Sequence, residues 1–325
     1  MLNRCFLPDD IASLQKTNTI WLPEDSTPEK MSQQFAVQAP QAGAMITGWG
    51  TPPITDAMLD QAPELKVIVH SAGSIKGLLP ESIWERGIRV GTCNGALAVG
   101  VAETTLGMII AGLKGFFPAR EWTSAGHWSD PKLGTNRTII REPFEMTVGV
   151  IGASKVGRHL LRLLKNFEMK ILLTDPFIDA GQARDLGATL VDLDEVAAKS
   201  DVITLHAPAL PSTHHMLQAR HFKSMKDGAI FINTARGMIV DESALVAELK
   251  TGRISAFIDV TDSEPPAKDH PFRSLPNVVL TPHLAGHASN GSFRQGRSVI
   301  KQLMEYQNGE QMHGEVTKEM CPSMA

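Results

Sequence analysis

Three short stretches in the second half of the chain carry an arginine, a glutamate and a histidine in that order. They are Asn233-Thr234-Ala235-Arg236-Gly237, Asp259-Val260-Thr261-Asp262-Ser263-Glu264-Pro265 and Thr281-Pro282-His283. A guanidinium offers a planar fork to a carboxylate, and an imidazole gives or takes a proton near neutral pH. A glutamate beside that imidazole would hold it in one orientation and favour its charged form, the state an acid needs in a reduction. In company, the three suggest hydride-transfer chemistry on a 2-keto or 2-hydroxy acid. Taken singly they have plainer readings: Arg236 as a solvated turn residue, Glu264-Pro265-Pro266 as a surface turn, His283 as a loop histidine. All three fall beyond the C-terminal ends of strand-like runs, the edge at which open α/β sheets bind ligands.

A frame that could position them lies upstream. Thr147–Ile151 reads as a buried strand, and Gly152-Ala153-Ser154-Lys155-Val156-Gly157 follows it directly and opens a helix over 156–167, the context a dinucleotide fingerprint requires. Gly152 permits the tight turn, Gly157 lets helix and strand pack closely, and the helix N-terminus, opened by Ser154, Lys155 and Val156, faces the pyrophosphate. Ser154 stands where the fingerprint has its middle glycine. It adds a Cβ where backbone should approach phosphate, although its hydroxyl can donate to a phosphate oxygen. Asp175 ends the next strand-like run, where a carboxylate takes both ribose hydroxyls of an adenosine. That carboxylate repels a 2′-phosphate, and Pro176-Phe177-Ile178 brings no cation, so NAD is expected over NADP. The plainer reading of Asp175 is a turn or cap ahead of Pro176.

Strand-like runs at 201–205, 229–233, 254–260 and 277–280, with a helix over 242–250, continue the alternation and predict a parallel sheet. Ahead of the fingerprint, a helical 54–62, a strand 65–70 ending at Ser71-Ala72-Gly73, and a strand 87–91 followed by a helix from about Val101 describe another α/β unit. The stretch 122–145 has mixed polarity and no period, which predicts an irregular connection, and the polar tail from Gln307 is expected to fray. Trp49 follows a strand-like run and either lines a substrate cleft or anchors a core. His206, His214, His215, His221, His270 and His287 read as structural or solvated, and Met216, Met225 and Met238 as packing.

With 325 residues, 42% of them hydrophobic, the chain can bury two cores. A formal net charge of −4 without a dense Lys/Arg run disfavours nucleic acid and anionic membrane as partners. Cys5, Cys93 and Cys321 are odd in number and scattered, which fits neither a disulfide framework nor paired zinc ligands; no metal site and a reducing compartment are expected. Asp9 and Asp10 fall where a secretory signal needs an apolar core, so a cytoplasmic location is expected. The apolar window 99–117 carries Glu103 and Lys114, and a buried helix between domains accounts for it better than a membrane span.

Ser71-Ala72-Gly73, Val101-Ala102-Glu103, the 147–157 segment with Asp175, Leu205-His206-Ala207-Pro208 and the three stretches of the opening together resemble the D-isomer-specific 2-hydroxyacid dehydrogenases. That family includes phosphoglycerate and D-lactate dehydrogenases and glyoxylate/hydroxypyruvate reductases. The resemblance covers most of the chain, and the mid-chain fingerprint separates it from L-lactate and malate dehydrogenases. It implies an α/β fold of two doubly wound parallel-sheet domains. One is a Rossmann-type NAD-binding domain over 101–288, the other a flavodoxin-like substrate domain over 1–100 and 289–325, with the active site in the cleft between them. It also implies a homodimer formed largely through the nucleotide domain.

Carried over residue by residue, Arg236 resembles the arginine that grips the substrate carboxylate and keto oxygen, His283 the proton donor or acceptor, and Glu264 its carboxylate partner. Asp259 is similar to the residue near the nicotinamide carboxamide; Pro208, Thr234 and Ala235 resemble other residues lining the cofactor, and the Ala72-Gly73 backbone resembles the loop that receives the substrate carboxylate. The implied activity is NAD-dependent interconversion of a small 2-keto acid and its D-2-hydroxy acid. The alternatives are a non-catalytic NAD-sensing module of the corepressor type and a formate dehydrogenase-like relative, whose branch has glutamine at the position of Glu264. Three departures from the family pattern bear on cofactor affinity and substrate identity: Ser154, Leu210 where threonine is common, and Ser74-Ile75-Lys76 without the usual aspartate.

Overall fold

Valine and isoleucine runs form the strands of two separate sheets, because β-branched side chains fit a pleated, buried surface. The computed structural model describes residues 5–21, 27–128, 140–321 and 324. The chain divides into two compact units, Met1–Leu97 with His287–Ala325, and Ala98–Gly286.

The first unit opens with helices Pro8–Gln15 and Pro28–Gln38, followed by strands β1 (Ala44–Thr47), β2 (Val67–His70) and β3 (Arg89–Thr92). These three are parallel, with β2 in the middle and buried at all of its residues.

The helix Asn94–Leu113 follows, and most of it belongs to the second unit. It begins before Val101, where the helix was expected to start. With 20 residues it is long and apolar enough to cross a membrane by length and composition. In the fold Ala102, Thr105, Met108, Ile109 and Leu113 along it are buried, and the apolar ones belong to a core with Val148, Val150, Ile230 and Phe257. A second helix, Phe116–Ser124, takes in Trp122, where an irregular segment was expected. It buries none of its residues, although Phe117 packs edge-on against Phe257 at 5.4 Å. A helix that buries no apolar stripe leaves no helical period to read. The rest of the expected irregular stretch falls partly at 129–139, outside the described residues.

The second unit's sheet contains β4 (Thr147–Ile151), β5 (Lys170–Thr174), β6 (Thr189–Leu190), β7 (Val202–Leu205), β8 (Ile230–Asn233), β9 (Ser255–Ile258) and β10 (Val278–Leu280). All pairings are parallel and the order is β10-β9-β8-β7-β4-β5-β6. The order reverses between β4 and β7, which makes their carboxyl ends a topological switch point. Helix Lys155–Leu164 buries Leu160, Leu161 and Leu164 along one face; each such leucine contributes roughly 1.5–3 kcal/mol relative to exposure.

The chain then returns to the first unit through helix Gly291–Gln307 and β11 (Glu315–Val316). The expected frayed tail is instead an edge strand, antiparallel to β3 and completing the order β1-β2-β3-β11. Arg89 holds it with a two-pronged bond to Glu315, 2.6 and 2.7 Å, and this pairing depresses the Glu315 carboxyl below its ordinary range. A polar tail conceals such a strand because its pairing with β3, the Arg89–Glu315 bond and the burial of Met312 and Val316 are all long-range.

Candidate active site

At the carboxyl end of β4 the loop is shaped by missing side chains. Gly152 has φ +95°, and a Cβ there would come within 2.7 Å of the Ala207 nitrogen. A Cβ on Gly157 would lie 2.1 Å from the Gly152 carbonyl oxygen. The turn can therefore exist only with glycine at both ends. Ser154 is the N-cap of helix Lys155–Leu164, its Oγ accepting the Gly157 N–H at 3.3 Å. An oxygen that accepts inward keeps its own hydrogen for an acceptor outside. Val156 is half-buried and Lys155 exposed on the opening turn, whose N–H groups are the natural receptor for an anion.

Asp175 accepts the Ala153 N–H at 2.7 Å through one oxygen and the Phe177 N–H at 2.8 Å through the other. The carboxylate thus serves the turn, which is the plainer reading of Asp175. Each carboxylate oxygen retains a further lone pair, so the bonds that fix the loop also aim the carboxylate. Pro208 is half-buried just past His206 and Ala207, whose backbone abuts Gly152. His206 is fully enclosed beside Thr204 at 2.9 Å, and burial pushes its pKa down to about 3.

Together the glycine cradle, the helix N-terminus and Asp175 fit a dinucleotide: phosphate over the turn, ribose at the carboxylate. Gly152 and Gly157 let the turn close on the Ala207 backbone and on itself, where a Cβ would clash.

At the other end of the sheet, side chains dominate. The Asn233 side chain accepts from the Ala235 N–H at 3.0 Å and donates to the Arg236 carbonyl at 3.1 Å, closing the turn that carries Arg236. Thr234 is buried, with its hydroxyl 3.1 Å from that of Thr105. Arg236 is half-buried and donates to the Ala235 carbonyl at 2.6 Å. A Cβ on Gly237 would fall 2.0 Å from the Thr261 carbonyl carbon, so the arginine turn rests directly on the loop that bears Glu264.

His283 Nδ1 lies 2.7 Å from Glu264 Oε2. A carboxylate only accepts, so Nδ1 carries the donated hydrogen and Nε2 faces outward. Both side chains are substantially exposed, 45% for His283 and 38% for Glu264. His283 has φ +51°, a left-handed conformation costing roughly 1–3 kcal/mol in a non-glycine residue.

Asp259 is what secures that conformation. It is 2% exposed, and its carboxylate accepts from the Thr281 hydroxyl at 2.6 Å and the Leu284 and Ala285 N–H groups at 2.8 and 2.9 Å. Its carbonyl accepts the His283 N–H at 2.9 Å. The family resemblance implies a position near the nicotinamide for Asp259; in the structure both of its oxygens are engaged by the histidine loop.

Sequence reasoning passed over Glu242. Its Oε1 accepts the Asp262 N–H at 2.6 Å and its Oε2 lies 3.3 Å from His270 Nε2. Nothing but an acidic residue at a helix start signalled it.

In the first unit, β1 and β2 end in register at Thr47 and His70. Ala72 is buried and Gly73 half-buried just beyond. The Cys93 N–H donates to the Ala72 carbonyl at 3.0 Å. His70 is bonded to the Thr47 hydroxyl at 2.9 Å, and burial lowers its pKa to about 4.

The family described as D-isomer specific 2-hydroxyacid dehydrogenase, NAD binding domain, matches residues 106–285. A glyoxylate reductase of Thermofilum pendens is 33% identical over 83% of the chain and 80% of its own length. A D-3-phosphoglycerate dehydrogenase of Methanocaldococcus jannaschii is 31% identical over 93% of the chain. The chain spans only 56% of that relative, and 47% of the similar protein from Archaeoglobus fulgidus. The crystal structure of a phosphoglycerate oxidoreductase from Rhizobium etli superposes with a TM-score of 0.82 at 27% identity, covering 98% of the chain and 96% of its own.

Proposed function

The chain belongs to the D-isomer-specific 2-hydroxyacid dehydrogenase family, and from that premise we propose that it is an NAD-dependent oxidoreductase interconverting a small 2-keto acid and its D-2-hydroxy acid. The observation that carries the reading is the His283–Glu264 pair at 2.7 Å, with Nε2 outward, on a loop held in a left-handed turn by buried Asp259.

In this mechanism the Arg236 guanidinium binds the substrate carboxylate and keto oxygen, and the Ala72-Gly73 backbone receives the carboxylate. The nicotinamide, when bound, supplies hydride to the carbonyl carbon. His283 Nε2 gives its proton to the developing alkoxide while Glu264 keeps the ring oriented and offsets its charge; in the oxidative direction His283 takes the proton back. Arg236 and the loop fix the geometry, so orientation supplies much of the acceleration.

Gly152, Ser154, Lys155, Val156, Gly157, Asp175, Pro208, Thr234, Ala235 and Asp259 would hold the cofactor. Asp175 favours NAD over NADP because a second anion, the 2′-phosphate, would meet a carboxylate with no cation at 176–178. Three scattered cysteines support a reducing, cytoplasmic setting. Phe116, Phe117, Trp128 and Phe144 of the second unit are exposed, which supports burial against a second copy.

The test is oxidation of NADH and NADPH by the purified protein across about a dozen 2-keto acids, with formate-dependent NAD+ reduction alongside. Turnover of 2-keto acids with NADH is expected. NADH binding without any turnover would replace the reading with a cofactor sensor.

A further inference from the structure

The loop after β1 in the first unit carries an aromatic surface that none of these steps uses. Trp49 is 43% exposed, so it is not a core anchor. Its indole stacks on the His287 imidazole, ring centroids 5.1 Å apart and planes 23° from parallel. The pairing holds an indole at the surface in a defined orientation, which suits recognition of another flat group.

The loop is fixed from within and from both ends. The Thr51 N–H donates to the Gly48 carbonyl at 3.1 Å, the Gly48 N–H to Thr51 Oγ1 at 3.0 Å, and Pro52 and Pro53 follow. The Ser71 N–H donates to the Thr47 carbonyl at 2.8 Å and the Ile54 N–H to the Leu78 carbonyl at 2.7 Å. The 47–54 and 71–78 segments are therefore pinned side by side. Trp49 stands two residues past β1, and Ala72 two residues past β2, at one carboxyl edge of one sheet.

We propose that the stacked Trp49–His287 pair is a subsite for the side chain of the substrate acid, and that it takes a flat, uncharged group such as the aryl ring of an arylpyruvate. The proposal rests on the reading that the Ala72-Gly73 backbone receives the substrate carboxylate. With that end anchored, a substituent on C3 lies over the neighbouring loop. An indole face attracts such a group by burial and offset stacking, and it lacks the guanidinium fork that a phosphorylated substituent would call for. Glyoxylate has no substituent and is the internal reference.

The experiment measures kcat/KM for phenylpyruvate and for glyoxylate in the wild type, Trp49→Ala and Trp49→Phe, together with calorimetric binding of D-phenyllactate to the cofactor-free protein. In Trp49→Ala the ratio of the phenylpyruvate to the glyoxylate value should fall at least about tenfold, mainly through KM, because the contact is remote from the reacting carbon and equal in ground and transition states. Trp49→Phe should recover most of the ratio. An unchanged ratio in Trp49→Ala overturns the proposal, as does a wild type that reduces glyoxylate but not phenylpyruvate. If no 2-keto acid is turned over, the dehydrogenase reading itself has failed. The calorimetry then decides the subsite alone: wild-type phenyllactate binding that Trp49→Ala abolishes sustains it, and no difference between the two removes it.

Discussion

The two carboxyl-edge regions of the second unit are built on opposite principles. Around β4 and β5 the functional surface is backbone, and the atoms that matter are the ones glycine leaves out: a Cβ on Gly157 would sit 2.1 Å from the Gly152 oxygen. Around β8, β9 and β10 the surface is side chain. His283 is 45% exposed, oriented by Glu264 and carried on a loop that a buried aspartate ties down with three bonds. An added atom should therefore be the damaging change in the first region, and a removed atom in the second.

The largest effect expected is in the second region. His283→Ala removes the proposed proton donor while leaving the glycine turn intact, so kcat should fall by about 10²–10⁴-fold, with NADH affinity, read by fluorescence titration, nearly preserved. Undiminished turnover would sink the catalytic assignment. A parallel loss of NADH affinity would show that the two regions are not separable. Next in size, Gly157→Ala should destabilise the protein by about 1–3 kcal/mol in urea unfolding, as overpacking does, and weaken NADH binding. Wild-type stability and affinity in that variant would mean the turn can open, and the contrast between the regions would lapse.

The contrast also explains what the sequence disclosed. Glycines at a strand-to-helix turn and an aspartate ending the next strand are local patterns, so the nucleotide loop could be read directly, and the helix Lys155–Leu164 came with it. The Glu264–His283 pair could be expected because the residue types are unusual in combination, but the supports around it could not. Thr105 reaches Thr234, and Glu242 reaches Asp262, across gaps in sequence that no pattern spans. The Phe116–Ser124 helix leaves no pattern because it buries none of its residues, and β11 leaves none because its partners in β3 lie far away in sequence. Trp49 fits two readings in the sequence, and only its exposure and its stacking on His287 decide against the core.

Buried histidines sharpen the comparison from another side. His206 beneath the nucleotide loop and His70 ahead of the Ala72-Gly73 turn are both held neutral by burial, with pKa values near 3 and 4. Because the folded values lie below the unfolded one, the unfolded chain binds the extra protons as pH falls from about 6.5. Their contribution to stability is complete above that pH and is lost progressively toward each folded value, at roughly 1.4 kcal/mol per pH unit for each histidine. Urea unfolding at pH 7 and pH 5 should show a loss, and His206→Gln should reduce the slope. An identical slope in wild type and variant would mean that His206 titrates alike in the folded and unfolded chain.

Ser154 gives the smallest effect and the finest test, because it lies where the two principles overlap: a side chain inside a backbone site. Its Oγ caps the helix through the Gly157 N–H, so Ser154→Ala should cost about 1 kcal/mol of stability, whereas Ser154→Gly should cost only a few tenths. Toward the cofactor the ranking separates the two roles. If the hydroxyl donates to phosphate, Ser154→Ala loses that bond without gaining room and should bind NADH several-fold more weakly, while Ser154→Gly recovers affinity by letting backbone come closer. Equal NADH affinities in all three proteins would leave Ser154 a helix cap alone, and the phosphate would then be met by backbone only.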